Sequence, residues 1–443
     1  MADEAWIVVD LGFGDQGKGT TVDFLVRDRA AHTVVRYNGG PQAAHTVVTD
    51  DGRHHTFAQL GAGSFVPGVV TVLADTMAIS PWSMMVEAQH FERAGGRDAL
   101  ARMLVAEDAL VVTPFHRAAN RLRELARGAA RHGSCGVGLG EARADALAGT
   151  PVVRARDLAD PIRLVTLLHA IQEDKRAELE GLARELDHHD ARVALDDLIE
   201  PRLPAFASEL LDGFRARVRV VPPEVIATRL AAPGAIVLEG AHGVLLDEDV
   251  GFHPHTTWSR CTDRHARELL RAHAPGAEVH ALGVLRAYAT RHGPGPLPSE
   301  WPADDPRAQA LAEPHNPDGP WQGPFRVGAF DVVLARYARD RVGPLDGLAL
   351  TCLDRVAPPI PVVTSYMIDG RALVDLPFHE APDDRLAAQA ALGRALGRAA
   401  PQALALASEA ALVALVEARV APVALTSHGP RAAAKRWRRK PSR

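Results

Sequence analysis

Cysteine is scarce in this chain: Cys135, Cys261 and Cys352 are the three in 443 residues, far apart and odd in number. That argues against a disulfide framework and fits a reducing compartment. No apolar run reaches the length of a membrane span. The start, MADEAW, lacks a basic segment followed by an apolar signal core. A cytoplasmic protein with no membrane partner is expected. Neither sign of charge dominates: 50 Lys and Arg face 55 Asp and Glu, a formal net charge of -5. A slightly acidic balance argues against general affinity for nucleic acid. Repeats and long low-complexity linkers are missing too, so one unit spanning 1–443 is expected. What is present is 47% hydrophobic residue, enough for a substantial core.

The densest signal lies near the start. Ala5-Trp6-Ile7-Val8-Val9 is a short apolar run of β-favouring residues, and Asp10-Leu11-Gly12-Phe13-Gly14-Asp15-Gln16-Gly17-Lys18-Gly19-Thr20 follows it. A helix can continue from Thr21. Strand, glycine loop and helix start form a phosphate cradle, because glycines let backbone N–H groups converge and a helix N-terminus favours anions. From Gly12 the spacing is that of a P-loop as far as Gly17-Lys18. Gly19 then stands where a Mg²⁺-binding hydroxyl would be expected. Asp15 sits inside the cradle, where a pure phosphate grip would avoid negative charge. A carboxylate there suits a metal ligand or a general base.

Further along, 32–37 reads as a second strand running into Asn38-Gly39-Gly40-Pro41-Gln42-Ala43-Ala44-His45-Thr46. In a parallel sheet this would bring the His45 imidazole near the first loop. Pro81 opens a helix running through Glu87 and Phe91, and 118–127 reads as an amphipathic helix leading into the glycine loop 133–140. Residues 160–230 are helix-rich. Strands are expected at 234–239, 279–285 and 348–351. Residues 301–325, rich in proline, glycine and acid, read as a long loop. The basic tail 435–440 reads as a solvated terminus.

Gly14-Asp15-Gln16-Gly17-Lys18-Gly19 resembles the GDEGKG signature of adenylosuccinate synthetases, with Gln16 in place of the glutamate. Those enzymes use GTP to phosphorylate the 6-oxygen of IMP, then displace the phosphate with the amino group of aspartate. The resemblance continues in order at separated segments. Residues 39–46 are similar to GGxNAGHT, with Gln42 for asparagine and Ala44 for glycine. Residues 133–140 align with TTGRGIGP, where Ser134 keeps one hydroxyl, Cys135 replaces the other and Val137 replaces an arginine. A second arginine, which the family donates across its dimer interface, has no counterpart near Gly149-Thr150. Residues 239–257 resemble EGAQGTLLDIDxGTYPYVT, with His242 for the glutamine and Thr257 retained. Thr290-Arg291-His292-Gly293-Pro294-Gly295-Pro296-Leu297-Pro298-Ser299-Glu300 matches TRxGxGPxPTE closely. Against TTGRRRRTGWLD, residues 320–331 keep Arg326 alone of four arginines. Thr351-Cys352-Leu353-Asp354 is similar to TKLD, with Cys352 for lysine, and Thr426-Ser427-His428-Gly429-Pro430 to STGPxR.

The resemblance implies one large α/β domain around a mostly parallel sheet, a homodimer, and Mg²⁺ with GTP as co-substrate. It implies Asp15 as base, His45 as acid and phosphate contact, and His242 at the reacting oxygen. GTP would be held by Gly14, Gln16, Gly17, Lys18, Gly19, Thr46, Cys352, Asp354, Ser427 and Gly429. The metal would meet Asp15 and the Ala44 carbonyl. The other substrates would meet Gln42, Ser134, Cys135, His242, Thr257 and Arg326. A histidine at 242 can carry charge and cannot present both an amide donor and an amide acceptor. The chemical apparatus is kept, and the substrate-reading apparatus is altered. The first reading is therefore a GTP- and Mg²⁺-dependent ligase acting on a purine nucleotide and an amino acid. A paralogue with another oxo-substrate or amine is the alternative. A silent GTP-binding module is the third reading, and intact Asp15 and His45 argue against it.

Overall fold

The structure is a computed structural model that describes residues 2–313 and 321–440, the side chain of Pro382 excepted. Pro320, the first residue aligned with the family's arginine loop, lies outside the described residues.

Among the described residues ten strands build the central sheet. In chain order they are β1 (Glu4–Asp10), β2 (Thr33–Arg36), β3 (Val70–Leu73), β4 (Met103–Ala106), β5 (Arg219–Val221), β6 (Ala235–Glu239), β7 (Glu278–Arg286), β8 (Gly347–Thr351), β9 (Val423–Ser427) and β10 (Lys435–Trp437). Their spatial order is β10-β9-β8-β7-β1-β6-β2-β3-β4-β5. Every pairing is parallel except β9 with β10. The strands carry apolar residues on both faces, as a sheet covered by helices on both sides requires. Ile7, Val8, Val237, Leu238, Leu282 and Val284 are all fully buried.

β1 is the centre, with β6 on one flank and β7 on the other. From β1 the chain passes to β2 on the first flank, while β7, β8 and β9 build the second. In such sheets ligands bind beyond the carboxyl ends of the strands, where the order switches sides. The loops after β1, β2, β6, β8 and β9 all emerge at that edge.

Helix α1 (Lys18–Asp28) leaves the first glycine loop, and Gly17 before it has φ +96°, a left-handed conformation that glycine adopts without strain. Helix α2 (Pro81–Arg93) opens on its proline as expected. The amphipathic helix is α3 (Pro114–Arg127), longer by one turn at its start. Three elements differ from the sequence reading. Within the expected loop 301–325, Asp305 caps a one-turn helix, Pro306–Ala310, because proline favours a first helical position. At the end of that segment, Phe325–Gly328 pairs antiparallel with Ala289–His292. The tail is solvated only in part: Arg436, Arg438, Arg439 and Lys440 are exposed, but Lys435 is buried and the Trp437 ring lies 5.6 Å from that of Trp6.

Candidate active site

Asp10 ends β1 fully inside the protein. Its Oδ1 accepts from the amides of Gly12 (2.8 Å) and Gly14 (3.3 Å), and its Oδ2 from that of Gln16 (3.2 Å). Lys18 Nζ donates to the same Oδ2 at 2.6 Å. The early loop amides are thus spent on a carboxylate, and the loop is held open by it. The first N–H groups of α1 lack intrahelical partners and remain for an anion. Asp15, at φ +59°, projects into the cleft from a left-handed turn that Asp tolerates better than most residues. Its carboxylate accepts no hydrogen bond from the described residues.

Gln16 turns away from the cleft. Its Nε2 donates to the Gly14 carbonyl (2.9 Å) and to Thr290 (3.1 Å), and its Oε1 accepts from the Arg286 amide (2.7 Å). It braces the loop against β7. A Cβ on Gly19 would stand 2.8 Å from the His45 Cβ, so the close approach of that segment leaves no room for a hydroxyl side chain.

His45 lines the same cleft. Its Nδ1 lies 2.5 Å from Oε1 of Glu239, the last residue of β6, and both side chains are buried. Glu239 Oε2 accepts from the Ala62 amide at 3.0 Å. A carboxylate on Nδ1 fixes the ring and leaves Nε2 facing the cleft. Burial pushes the imidazole down to about 4 despite the carboxylate beside it. Burial alone would raise Glu239, but the Arg36 guanidinium and the His45 hydrogen bond hold it below its ordinary value.

The cleft encloses about 310 Å³. Asp15, Gly17, Lys18 and Gly19 form one wall, with Ala44, His45 and Thr46 beside them. Cys352, Asp354, Ser427 and Gly429 form the far end. Asp354 is exposed there on the short turn Leu353–Arg355. Gly14 and Gln16 support the wall from behind. Three contributors had no role in the sequence reading: Asp10, Glu239 and Arg286. The first two end buried strands, and an acid at such a position is the signal that could have found them.

The remaining expected residues are not part of this cleft wall. Gln42 Nε2 lies 2.9 Å from His242 Nε2, so the two altered positions meet each other. Burial, with Lys18, His45 and Arg36 nearby, pushes His242 down to about 3. It is therefore neutral at neutral pH and works as a hydrogen-bonding ring. Ser134 accepts from Asn120 Nδ2 at 2.9 Å, and burial pushes the Cys135 thiol up to about 11. Thr257 is half-buried, its amide held by the Leu246 carbonyl at 2.8 Å.

Arg326 is not free. Its Nε donates to the Gly293 carbonyl (3.0 Å), its Nη2 to that of Gly295 (2.7 Å), and its Nη1 pairs with Glu300 (2.6 Å). Arg291 is buried and likewise spent, on the carbonyls of Pro294, Pro296 and His255 at 2.9–3.1 Å. Trp321 packs against Gly136, and Arg121 stacks 5.1 Å from its ring.

Known proteins are similar to this chain in sequence and fold. The family model for adenylosuccinate synthetase matches residues 7–391. The chain is similar to adenylosuccinate synthetase 2 of Chromobacterium violaceum, 30% identical over 84% of this chain and 82% of that one. It is 32% identical to the adenylosuccinate synthetase of Myxococcus xanthus, over 84% and 83%. Among solved structures, the fully ligated adenylosuccinate synthetase of Plasmodium falciparum superposes with a TM-score of 0.77 at 20% identity, covering 98% of this chain and 99% of the other.

Proposed function

The chain belongs to the adenylosuccinate synthetase family of GTP-dependent, C–N bond-forming ligases, and from that premise we propose that it joins IMP and aspartate with GTP and Mg²⁺. The observation that carries this reading is the single cleft in which an acid, a lysine, an imidazole and a second carboxylate converge from separate strand ends. Asp15 takes the ring N–H proton of the purine, so that its oxo oxygen can attack the terminal phosphorus of GTP, whose bond to the bridging oxygen breaks and releases GDP. Lys18 and the start of α1 hold the phosphates, with His45 Nε2 turned toward them. The amine then attacks the ring carbon and phosphate leaves.

The cleft wall carries three basic residues, Lys18, Arg286 and Arg355, and three acids, Asp15, Glu313 and Asp354. These charges cancel, so the triphosphate needs added positive charge. Hard oxygen donors suit Mg²⁺, and the uncommitted Asp15 carboxylate with the exposed Ala44 carbonyl would hold it. Bound there, Mg²⁺ supplies charge neutralisation to the transferring phosphoryl group. A cytoplasmic homodimer goes with this reading, and sedimentation equilibrium tests the assembly.

Asp354 can accept two hydrogen bonds from the guanine edge, which adenine cannot offer. Asp354→Asn is expected to weaken GTP while leaving ATP unaffected or improved. An unchanged ratio of GTP to ATP affinities would show that Asp354 does not read the base.

The deciding assay incubates the protein with GTP, Mg²⁺, IMP and aspartate and follows phosphate release and the coupled product. Phosphate release with no oxo-heterocycle or amine on a broad panel would sink the ligase reading. One observation favours a second reading, in which the amine differs from aspartate: the aligned arginine, Arg326, has all its nitrogens committed to this chain's own groups.

A further inference from the structure

Arg286 closes β7 beside the glycine loop and is more than nine-tenths buried. Its Nε donates to the Asp15 carbonyl. Its Nη1 donates to the Tyr288 hydroxyl and to Glu313, each at 2.7 Å. The rings of Tyr288 and Phe325 flank the guanidinium at 5.4 and 5.9 Å. Nη2 has no hydrogen-bond partner among the described residues, and the side chain forms part of the cleft wall that holds Asp15 and Lys18. A guanidinium with two nitrogens anchored and the third uncommitted is pre-organised for an anionic oxygen. Lys18, the other cation at this end, already has Asp10 2.6 Å away.

We propose that Arg286 is a phosphate-contacting residue of the nucleotide cleft, its free Nη2 donating to a phosphate oxygen of the bound triphosphate while Glu313 and the Asp15 carbonyl hold it in place. This rests on the reading of the cleft as a GTP site. It adds a second cation to the part of the cleft wall that already carries Lys18. A single arginine so placed raises affinity for the phosphates and leaves the base untouched.

The test is titration of GTP and of guanosine into the wild type, Arg286→Met and Arg286→Lys. Arg286→Met is expected to weaken GTP by about 10- to 100-fold, the span of one charged hydrogen bond, and to leave guanosine within about twofold, as a contact to phosphate alone requires. Arg286→Lys is expected to recover part of the loss. Unchanged GTP affinity in Arg286→Met would overturn the proposal. So would an equal loss of GTP and guanosine, the mark of a residue that only supports the fold. Should Arg286→Met fail to fold, Arg286→Gln takes its place in the same pair of titrations: a loss of GTP affinity with guanosine unchanged is expected, and unchanged GTP affinity overturns the proposal. A wild type that binds no GTP would instead overturn the ligase reading beneath it.

Discussion

Asp15→Asn is expected to keep most GTP binding and to lower turnover by about 10²-fold or more, because an amide cannot accept the substrate's proton. Binding is kept since the amide oxygen and the Ala44 carbonyl would still offer Mg²⁺ oxygen donors. The substitution is unusually clean here. Asp15 occupies a left-handed turn at φ +59°, and Asn shares the tolerance of Asp for that region, so the loop keeps its path. No described residue donates a hydrogen bond to the carboxylate, so its loss orphans nothing in the protein. Burial raises the carboxyl above its ordinary value, with Arg286 and Lys18 opposing. A raised value makes a better proton acceptor. Turnover under saturating substrates, set beside a GTP titration of the same variant, separates chemistry from binding. An Asn variant that turns over at the parent rate would falsify the assignment of Asp15 as base.

The nucleotide side of the cleft was legible because its information is carried by backbone chemistry. Glycines at 14, 17 and 19, an acid at 15 and a lysine at 18 leave few alternatives to a strand–loop–helix cradle, and β1 and α1 stand where that pattern puts them. The order of the strands was not legible, since parallel pairing across hundreds of residues leaves no local trace. Asp10 and Glu239 stood in the segments read above without a role, for a related reason. Each ends an apolar run, and only the folded sheet brings one under the glycine loop and the other behind His45. The basic tail misled in the opposite direction. Its charges suggested solvent, yet Lys435 donates to Thr20 and to the Arg431 carbonyl, and Trp437 anchors the edge strand. Periodicity cannot reveal whether a particular arginine is free, and that question decides the amine.

Aspartate is expected to saturate this enzyme poorly. An aspartate nucleophile brings two carboxylates into a cleft that also holds the triphosphate, so its site needs local positive charge. Arg326 is the sole arginine in the segment aligned with the family's four, and its Nε, Nη1 and Nη2 are taken by Gly293, Glu300 and Gly295. Arg291 cannot substitute for it, because three backbone carbonyls hold its guanidinium under the Phe13 ring. Charged hydrogen bonds contribute roughly 1.5–3 kcal/mol each, so two lost grips weaken aspartate by about 10²-fold or more. Trp321, Pro324 and Phe325 stand in the same segment and add no charge to it, so a less acidic or more apolar amine is favoured. Steady-state kinetics at saturating oxo-substrate, run across a panel of amino acids and simple amines, measures the preference directly. Aspartate saturating below roughly 1 mM, at the ordinary upper end for enzyme substrates, with no better amine on the panel, would sink the idea. It would mean that binding energy for the carboxylates comes from a group outside this segment, and Arg121, stacked on Trp321, would be the next residue to replace.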